Sequence, residues 1–364
     1  MTRIKRTPHR AAPALSSVES AESVEAVEKG KKTPARLVVI ARALRVSQWS
    51  KNGLVILAAL FSRQLTHPET LLRVIVALFA FSFVSSAVYI FNDLRDIESD
   101  RQHPTKRHRP IAAGLMSERE AMILCGVTLL IGLALTATLA SGALYPPGDL
   151  HDPFAAYGGA PLLFGLSIAA YLGLNVTYTL RLKRVALWDV FSIACGFALR
   201  ALAGAFAAGV VISPWFYLTA IFLSLALATG KRRAEMVRTA ASTLLSSEEW
   251  ENSGIRHSLR DYTLPFLDQL MGVSVTCALI TYSLYTFQAG TANGDGLLML
   301  TTPCVIFGLF RYLYLVYVRA QGEEPDRLLF TDPQILGVAA LYLLIVAATL
   351  YGPWLGALWH LQAP

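Results

Sequence analysis

Charged residues are scarce in this chain of 364 residues. Asp, Glu, Lys and Arg make up 16% of the sequence, against 54% hydrophobic residues. A soluble enzyme of this size needs more charge to cover its surface, so the composition excludes an ordinary soluble protein. Cysteine is equally sparse: the four cysteines stand singly in apolar segments, without the paired spacing of a zinc site. We interpret them as buried small hydrophobic residues.

Long uncharged runs occupy much of the chain. Six runs without Asp, Glu, Lys or Arg are each long enough to cross a bilayer, namely 74–92, 121–148, 153–180, 201–230, 269–294 and 333–359. They are continuously apolar, which excludes the alternating pattern of a membrane β-barrel. We therefore predict an all-α membrane protein, a bundle of about nine transmembrane helices with cores at 48–65, 72–93, 119–142, 160–180, 185–208, 213–231, 263–288, 297–318 and 333–356.

The distribution of Lys and Arg predicts how this bundle is oriented. With the N-terminus inside, 28 of the 32 Lys and Arg residues fall in the N-terminal segment or in inner loops, as the positive-inside rule requires. We predict a cytoplasmic N-terminus, an outer C-terminus and a multi-pass protein of the cell inner (cytoplasmic) membrane. The net charge of +7 follows from this topology and requires no nucleic-acid partner.

The N-terminal segment differs from the rest of the chain. Residues 1–36 combine basic residues with Ser, Ala and Glu and lack an apolar core. We predict a disordered cytoplasmic tail, with electrostatic contact to anionic lipid as the alternative. Residues 37–364 are predicted to form one transmembrane catalytic domain.

An acidic cluster stands where the second predicted helix reaches the cytoplasm. Asp93, Asp96 and Asp100 would share one face with Asn92 if the helix continued beyond the membrane. Like charges this close repel one another and favour a bound cation. Oxygen ligands suit Mg²⁺, which takes further ligands from substrate phosphates. We predict that these four residues bind Mg²⁺, with Mn²⁺ as a substitute, and that the three aspartates are catalytic. The alternative is a solvated acidic helix end.

A basic segment follows the acidic cluster directly. It contains four cations, Arg101, Lys106, Arg107 and Arg109. A phosphorylated substrate beside a metal requires such cations to hold its remaining charge. We predict that Arg101, Lys106 and Arg109 bind substrate; the alternative is that they only determine topology. The active site is expected to face the cytoplasm.

These two segments resemble those of the UbiA superfamily of intramembrane prenyltransferases. The superfamily's first aspartate-rich motif, Asn-Asp-x-x-Asp-x-x-x-Asp, matches residues 92–100. The resemblance covers about residues 42–356 and implies a UbiA-like fold for the domain at 37–364. The decaprenyl-phosphate phosphoribosyltransferase branch is indicated more narrowly by the segments 47–52, 86–93, 103–110, 196–204 and 230–235.

The chain departs from the common UbiA pattern at the second aspartate-rich motif. That position reads Lys231-Arg232-Arg233-Ala234-Glu235. One acidic and one basic site fit a diphosphate donor and a phosphate monoester acceptor. The resemblance thus implies transfer of 5-phosphoribosyl from 5-phosphoribosyl 1-diphosphate to a polyprenyl (decaprenyl-type) phosphate, with release of diphosphate, for cell-envelope sugar-lipid synthesis. Lys231, Arg232 and Glu235 are predicted to bind substrate.

Four more residues are assigned to substrate binding, three of them with an alternative. Lys51 would reach a phosphate from the start of the first helix, or lipid headgroups instead. Lys183, at the end of the fourth helix, resembles a family substrate contact. Tyr178 resembles a family substrate contact or serves as an interfacial anchor. Arg200 would contact the acceptor phosphate or pair with Asp189, three helical turns earlier on the same face.

Two other functions are weighed against this one. A UbiA-type prenyltransferase would join a prenyl diphosphate to an aromatic or isoprenoid acceptor, and the basic segment at 231–233 argues against it. A transporter or channel would use the intramembrane Arg200 and Arg311, but the sequence lacks paired broken helices. The expected partners are the membrane, a polyprenyl phosphate and phosphoribosyl diphosphate. Assembly into a homo-oligomer is left open.

Overall fold

The computed structural model describes residues 35–102, 105–145, 152–242, 257–293, 296–322, 328 and 331–362. Across these ranges the regular structure is entirely helical, which confirms the predicted all-α class. The chain divides into two compact units, Met1–Ala41 and Arg42–Pro364. The first is described only from residue 35, so the tail predicted at 1–36 lies almost wholly outside the described residues. The second contains the site.

Short 3₁₀ helices and turns connect the α-helices. In the described ranges the α-helices are α1 (Arg36–Ala43), α2 (Leu54–Phe61), α3 (Pro68–Arg95), α4 (Ile97–Gln102), α5 (Glu118–Ala140), α6 (Ala160–Leu180), α7 (Trp188–Ala208), α8 (Pro214–Ser242), α9 (Leu264–Asn293), α10 (Thr302–Tyr317) and α11 (Pro333–Gln362).

Seven segments of the described chain are long and apolar enough to cross a membrane. They are Pro68–Arg95, Glu118–Ala140, Ala160–Leu180, Trp188–Ala208, Leu264–Ala289, Leu297–Tyr317 and Pro333–Gly352. Each coincides with one of the nine predicted spans, which supports an integral membrane protein. The count of nine and the orientation remain predictions.

The two remaining predicted spans have a different structure. The first, at 48–65, is a 3₁₀ helix (Val46–Gly53) followed by the short α2, because Lys51 and Asn52 interrupt its apolar run. The sixth, at 213–231, forms the first half of α8. The apolar part of α8 ends at Gly230 and basic residues follow, so this helix lacks a full apolar span.

The site lies at one end of a group of tightly packed helices around α3. Helix α3 packs against α2, α5, α6 and α7, and their shared core includes the fully buried Phe81 and Phe164. Helices α2 and α7 approach very closely at Gly204. A Cβ atom at Gly204 would lie 2.1 Å from the carbonyl oxygen of Val55. Only glycine allows this contact.

The acidic motif occupies the end of α3 and the next helix. Helix α3 ends at Arg95 and α4 begins at Ile97, so the continuous helix expected from the sequence is interrupted at Asp96. The interruption is a bend, because the backbone N–H of Asp100 still donates to the carbonyl oxygen of Asp96 at 2.8 Å. It places Asp93 and Asp100 on different helices.

Candidate active site

Asp93 and Asp100 form a buried pair that one guanidinium joins. Arg109 Nη1 donates to Asp100 Oδ2 at 2.6 Å and to Asp93 Oδ1 at 3.0 Å. Arg45 Nη2 donates to the same Asp93 oxygen at 2.5 Å. The two aspartates are only 4% and 2% exposed. Two cations thus compensate two buried carboxylates, and the predicted placement of Arg109 beside the acidic motif is what the structure shows.

Asp96 and Asn92 are held by residues that follow or end α6. Lys183 Nζ lies 2.6 Å and 2.8 Å from the two carboxylate oxygens of Asp96. The Thr179 hydroxyl donates to Asn92 Oδ1 at 2.5 Å. Lys183, which the sequence assigned to the substrate, therefore lies at the acidic motif.

The three carboxylates do not meet at one point in this arrangement. In the part of the chain that the structure describes, no three acidic, His or Cys side chains lie close enough together to hold a metal ion. The donor chemistry nevertheless fits Mg²⁺, since carboxylate and amide oxygens are available side by side. Arg45 and Arg109 donate to Oδ1 of Asp93, and Arg109 also donates to Oδ2 of Asp100. The second oxygen of each carboxylate accepts no hydrogen bond from the described residues.

The other cations of the basic segment are placed differently. Arg101 pairs with Glu98 at 3.1 Å, and their side chains are 51% and 84% exposed. Arg101 is thus at the surface, apart from the buried aspartates. Lys106, Lys51 and Tyr178 are half-buried. Their assignment to the substrate stays a prediction.

Arg200 is fully engaged inside the bundle and does not pair with Asp189. Its Nε donates to Asn52 Oδ1 at 2.8 Å, its Nη2 to the Tyr171 hydroxyl at 2.7 Å and its Nη1 to the Gly196 carbonyl oxygen at 3.1 Å. Of the two alternatives for Arg200, the ion pair with Asp189 is therefore wrong, and contact with the acceptor phosphate stays a prediction. Neutral groups from three elements surround this cation, which locks α7 to α6 and to the Val46–Gly53 helix.

Asp189 instead belongs to a buried network with Arg232. Nε of Arg232 lies 3.3 Å from Asp189 Oδ2, and Arg232 also pairs with Glu235. Asp189 further accepts hydrogen bonds from the Tyr262 hydroxyl at 2.7 Å and the Ser258 hydroxyl at 3.0 Å. Arg232 and Asp189 are both 0% exposed. This corrects the assignment of Arg232 to the substrate, because its side chain is an internal link between α7 and α8.

The neighbours of Arg232 differ from it in exposure. Lys231 and Glu235 are half-buried on α8. Arg233 Nε donates to Asp268 Oδ1 at 2.5 Å, which ties α8 to the start of α9. The assignment of Lys231 to the substrate stays a prediction.

Arg45 and Thr179 contribute to the site and were missed by the sequence interpretation. Arg45 has a left-handed backbone (φ 51°, ψ 48°), which is uncommon for residues other than glycine and is found at functional sites. No local pattern distinguishes it from the other basic residues of the N-terminal segment. Thr179 follows Tyr178, which the sequence analysis assigned to substrate binding. The position of both residues at the end of α6 was therefore the available signal for Thr179.

The helical membrane bundle and its acidic motif are those expected of an intramembrane prenyltransferase family, and comparison of the sequence with known proteins agrees. The chain matches the UbiA prenyltransferase family over residues 53–332 and belongs to that family. It is 33% identical over 313 residues to the decaprenyl-phosphate phosphoribosyltransferase of Corynebacterium glutamicum, covering 84% of this chain and 85% of the relative. The protein of the same name from Mycobacterium tuberculosis strain H37Rv is 33% identical over 302 residues, 80% of this chain and 88% of the relative.

The fold is also that of a solved UbiA homolog. The structure of a UbiA homolog from Archaeoglobus fulgidus bound to GPP and Mg²⁺ superposes with a TM-score of 0.59 at 18% sequence identity. The match covers 85% of this chain and 97% of that one. This confirms the UbiA-like fold that the sequence resemblance implied.

Proposed function

We propose that this chain is a polyprenyl-phosphate phosphoribosyltransferase. It would transfer the 5-phosphoribosyl group of 5-phosphoribosyl 1-diphosphate to a decaprenyl-type phosphate and release diphosphate. The observation that carries the proposal is the similarity to relatives of that name over four fifths or more of both chains. The proposal is also supported by the basic residues Lys231, Arg232 and Arg233 of α8, which stand at the position of the family's second acidic motif.

The residues of the acidic motif would hold Mg²⁺ in this reaction. Asn92, Asp93, Asp96 and Asp100 offer the oxygen ligands that the ion prefers, and Mn²⁺ offers similar chemistry. The bound ion would supply Lewis-acid stabilisation of the charge on the departing diphosphate. That the solved Archaeoglobus fulgidus homolog contains Mg²⁺ supports the use of a divalent ion.

The cations around the motif would position the two anionic substrates. Arg45 and Arg109 supply positive charge at the buried carboxylates, where a donor diphosphate would need it. The acceptor phosphate is already an anion at neutral pH, so the protein requires no strong general base. Its task is to hold two like-charged groups in contact. Lys183 and Lys231 are the candidates for positioning the two substrates.

We further infer the cellular placement from the topology. The basic loops put the acidic motif on the cytoplasmic face of the inner membrane, where a soluble sugar phosphate is available. The polyprenyl tail would enter the bundle from the bilayer. Homo-oligomerisation is left open.

A second candidate is a conventional UbiA prenyltransferase. It is favoured by membership of the family and by the GPP that the solved homolog contains. This reading would require a second metal site near Glu235. The pairing of Glu235 with the buried Arg232 argues against it.

The deciding experiment tests purified protein with phosphoribosyl diphosphate and, separately, with a prenyl diphosphate as the donor. Phosphoribosyl diphosphate labelled in the ribose is incubated with a polyprenyl phosphate, and label is counted in the lipid phase. We expect label to enter the lipid, and Asp93→Asn to abolish this. A preparation that leaves the lipid unlabelled, but alkylates an aromatic acceptor with a prenyl diphosphate, would identify a conventional prenyltransferase.

A further inference from the structure

A cavity of about 510 Å³ lies near the other end of α3 from the acidic motif. Arg73 lines it, together with Gln64, Thr70 and Tyr145. Arg73 precedes Asp93 by twenty residues on one helix. That separation is about 30 Å along the helix axis, roughly the thickness of the hydrocarbon core of a bilayer. The cavity and the acidic motif therefore belong to opposite membrane faces.

Arg73 is a buried cation whose contacts are all with neutral groups. The residue is 7% exposed. Its Nη2 donates to the Thr70 hydroxyl at 3.0 Å, and its guanidinium carbon lies 4.6 Å from the centre of the Tyr145 ring. Nε is buried and finds no hydrogen-bond partner among the residues that the structure describes. A buried guanidinium that no carboxylate contacts directly is costly, so an anion in the cavity would stabilise it.

Among the described residues, Asp152 is the acid that lines the cavity, and its carboxylate caps a helix. The carboxylate of Asp152 accepts hydrogen bonds from the backbone N–H groups of Phe154 and Ala160, each at 2.9 Å. It thereby caps the start of α6, and the contacts found for Arg73 are with Thr70 and Tyr145 instead. The Tyr145 hydroxyl donates to the carbonyl oxygen of Phe206 at 3.0 Å, which fixes the ring against the guanidinium.

We propose that this cavity binds a phosphate-bearing anion through the guanidinium of Arg73. The fork of N–H donors on arginine matches a phosphate, and Arg73 lines the cavity. Arg73 stands near the beginning of a membrane-spanning helix, the depth at which lipid headgroups lie. The ligand chemistry is a phosphate monoester, either on a lipid or as free phosphate. The inference does not depend on the proposed transfer reaction, since the two sites are a membrane thickness apart.

Native mass spectrometry of the detergent-purified full chain tests this. The probes are dioleoyl phosphatidic acid, dioleoylglycerol, which is the same lipid without the phosphate, and inorganic phosphate. We expect phosphatidic acid to bind at least about tenfold more tightly than dioleoylglycerol, and Arg73→Gln to remove that preference. Arg63→Gln changes a cation on the same face that does not line the cavity, and should bind like wild type.

The outcomes separate the sources of the phosphate and decide the proposal. Displacement of phosphatidic acid by millimolar inorganic phosphate identifies a free-phosphate site, whereas retention of the lipid identifies a headgroup site. Equal binding of the two lipids, together with no binding of phosphate, overturns the proposal. So does an Arg73→Gln protein that binds every probe like wild type.

Two further variants keep the test valid if Arg73→Gln does not fold. Arg73→Lys keeps the charge and loses the fork, and should bind phosphatidic acid with an affinity between those of wild type and dioleoylglycerol. Thr70→Val removes the hydroxyl that orients the guanidinium and should also weaken binding. Wild-type affinity in both would overturn the proposal. Asp93→Asn, which lacks the proposed transfer activity, should bind phosphatidic acid normally.

Discussion

Lys183 Nζ lies within 2.8 Å of both carboxylate oxygens of Asp96, although the two residues are 87 positions apart in the chain. The contact fastens the connection after α6 to the bend between α3 and α4. It also divides the acidic motif into two parts. Asp93 and Asp100 form a buried pair joined by Arg109, whereas the Asp96 side chain is 35% exposed and has its own cation.

Loss of any one motif carboxylate should stop the transfer reaction. We expect Asp93→Asn, Asp96→Asn and Asp100→Asn each to lower kcat at least about a hundredfold, because residues that only orient metal ligands already contribute up to that much. The measurement is transfer of labelled phosphoribosyl into the lipid phase. Glu98→Gln, an exposed acid in the same segment, is the matched control and should retain its rate. Wild-type turnover by Asp96→Asn would remove that residue from the proposed metal site.

Removal of divalent metal should have the same effect as loss of the carboxylates. Excess EDTA is expected to abolish transfer, and Mg²⁺ or Mn²⁺ added in excess of the chelator to restore it, since the oxygen ligands of the motif suit both ions. EDTA saturated with Mg²⁺ beforehand controls for effects of the chelator itself. Full activity in metal-free EDTA would refute the metal assignment.

Sequence reasoning predicted the parts of this structure that local composition determines. Five of the seven spans follow from uncharged apolar runs, because burial in lipid requires little more than length and hydropathy, whereas the spans at 188–208 and 297–317 contain internal charges. Arg109 was expected beside the acidic motif because it follows it closely in the chain, whereas the contact of Lys183 with Asp96 was not expected from the sequence. Partners inside the bundle were not predictable in this way. Helical periodicity placed Asp189 and Arg200 on one face, but packing of other helices gave Arg200 to Asn52 and Tyr171 and Asp189 to Arg232.

Replacement of Gly204 should destabilise the bundle. Gly204→Ala places a methyl group 2.1 Å from the Val55 carbonyl oxygen, and the backbone there has no flexible end that can move aside. Overpacking of this kind typically costs about 1 to 3 kcal/mol or more, and we expect a lower unfolding temperature in detergent. Gly173→Ala on α6 meets no atom within 4 Å and is the matched control. Equal unfolding temperatures for the two variants would contradict the close helix contact.

Tyr262 should give the protein a pH-dependent stability at alkaline pH. Burial, and then its hydrogen bond to Asp189, raise the pKa of Tyr262 above its ordinary value near 10. The associated stability is complete below pH 10 and is lost as the pH rises from there toward the higher pKa of the folded state. The stability difference between wild type and Tyr262→Phe should therefore be constant up to about pH 10 and shrink above it. Unfolding temperatures between pH 8 and 11 measure this, with the exposed Tyr157→Phe as control; a constant difference would contradict it.

Lys231 and Arg232 should respond to neutralisation in different ways, although they are neighbours. Lys231 is half-buried, and if it contacts the acceptor phosphate, Lys231→Gln should raise KM for polyprenyl phosphate roughly tenfold, and more than KM for the sugar donor. Arg232 is fully buried between Asp189 and Glu235. Arg232→Gln leaves both acids without their cation, which in buried pairs costs about 3 to 5 kcal/mol, so its effect should be on unfolding temperature.

Kinetics and thermal unfolding of the same preparations distinguish these two roles. Arg232→Lys should recover part of the lost stability, since it restores the charge without the forked geometry. An Arg232→Gln protein that unfolds like wild type, but has a raised KM for polyprenyl phosphate, would return Arg232 to the substrate site and require the residues around Tyr262 to open during turnover. A different result would identify a conventional prenyltransferase: Lys231→Gln weakens binding of a prenyl diphosphate, and the wild-type protein alkylates an aromatic acceptor. A site that binds only an acceptor phosphate would not explain the loss of prenyl diphosphate binding.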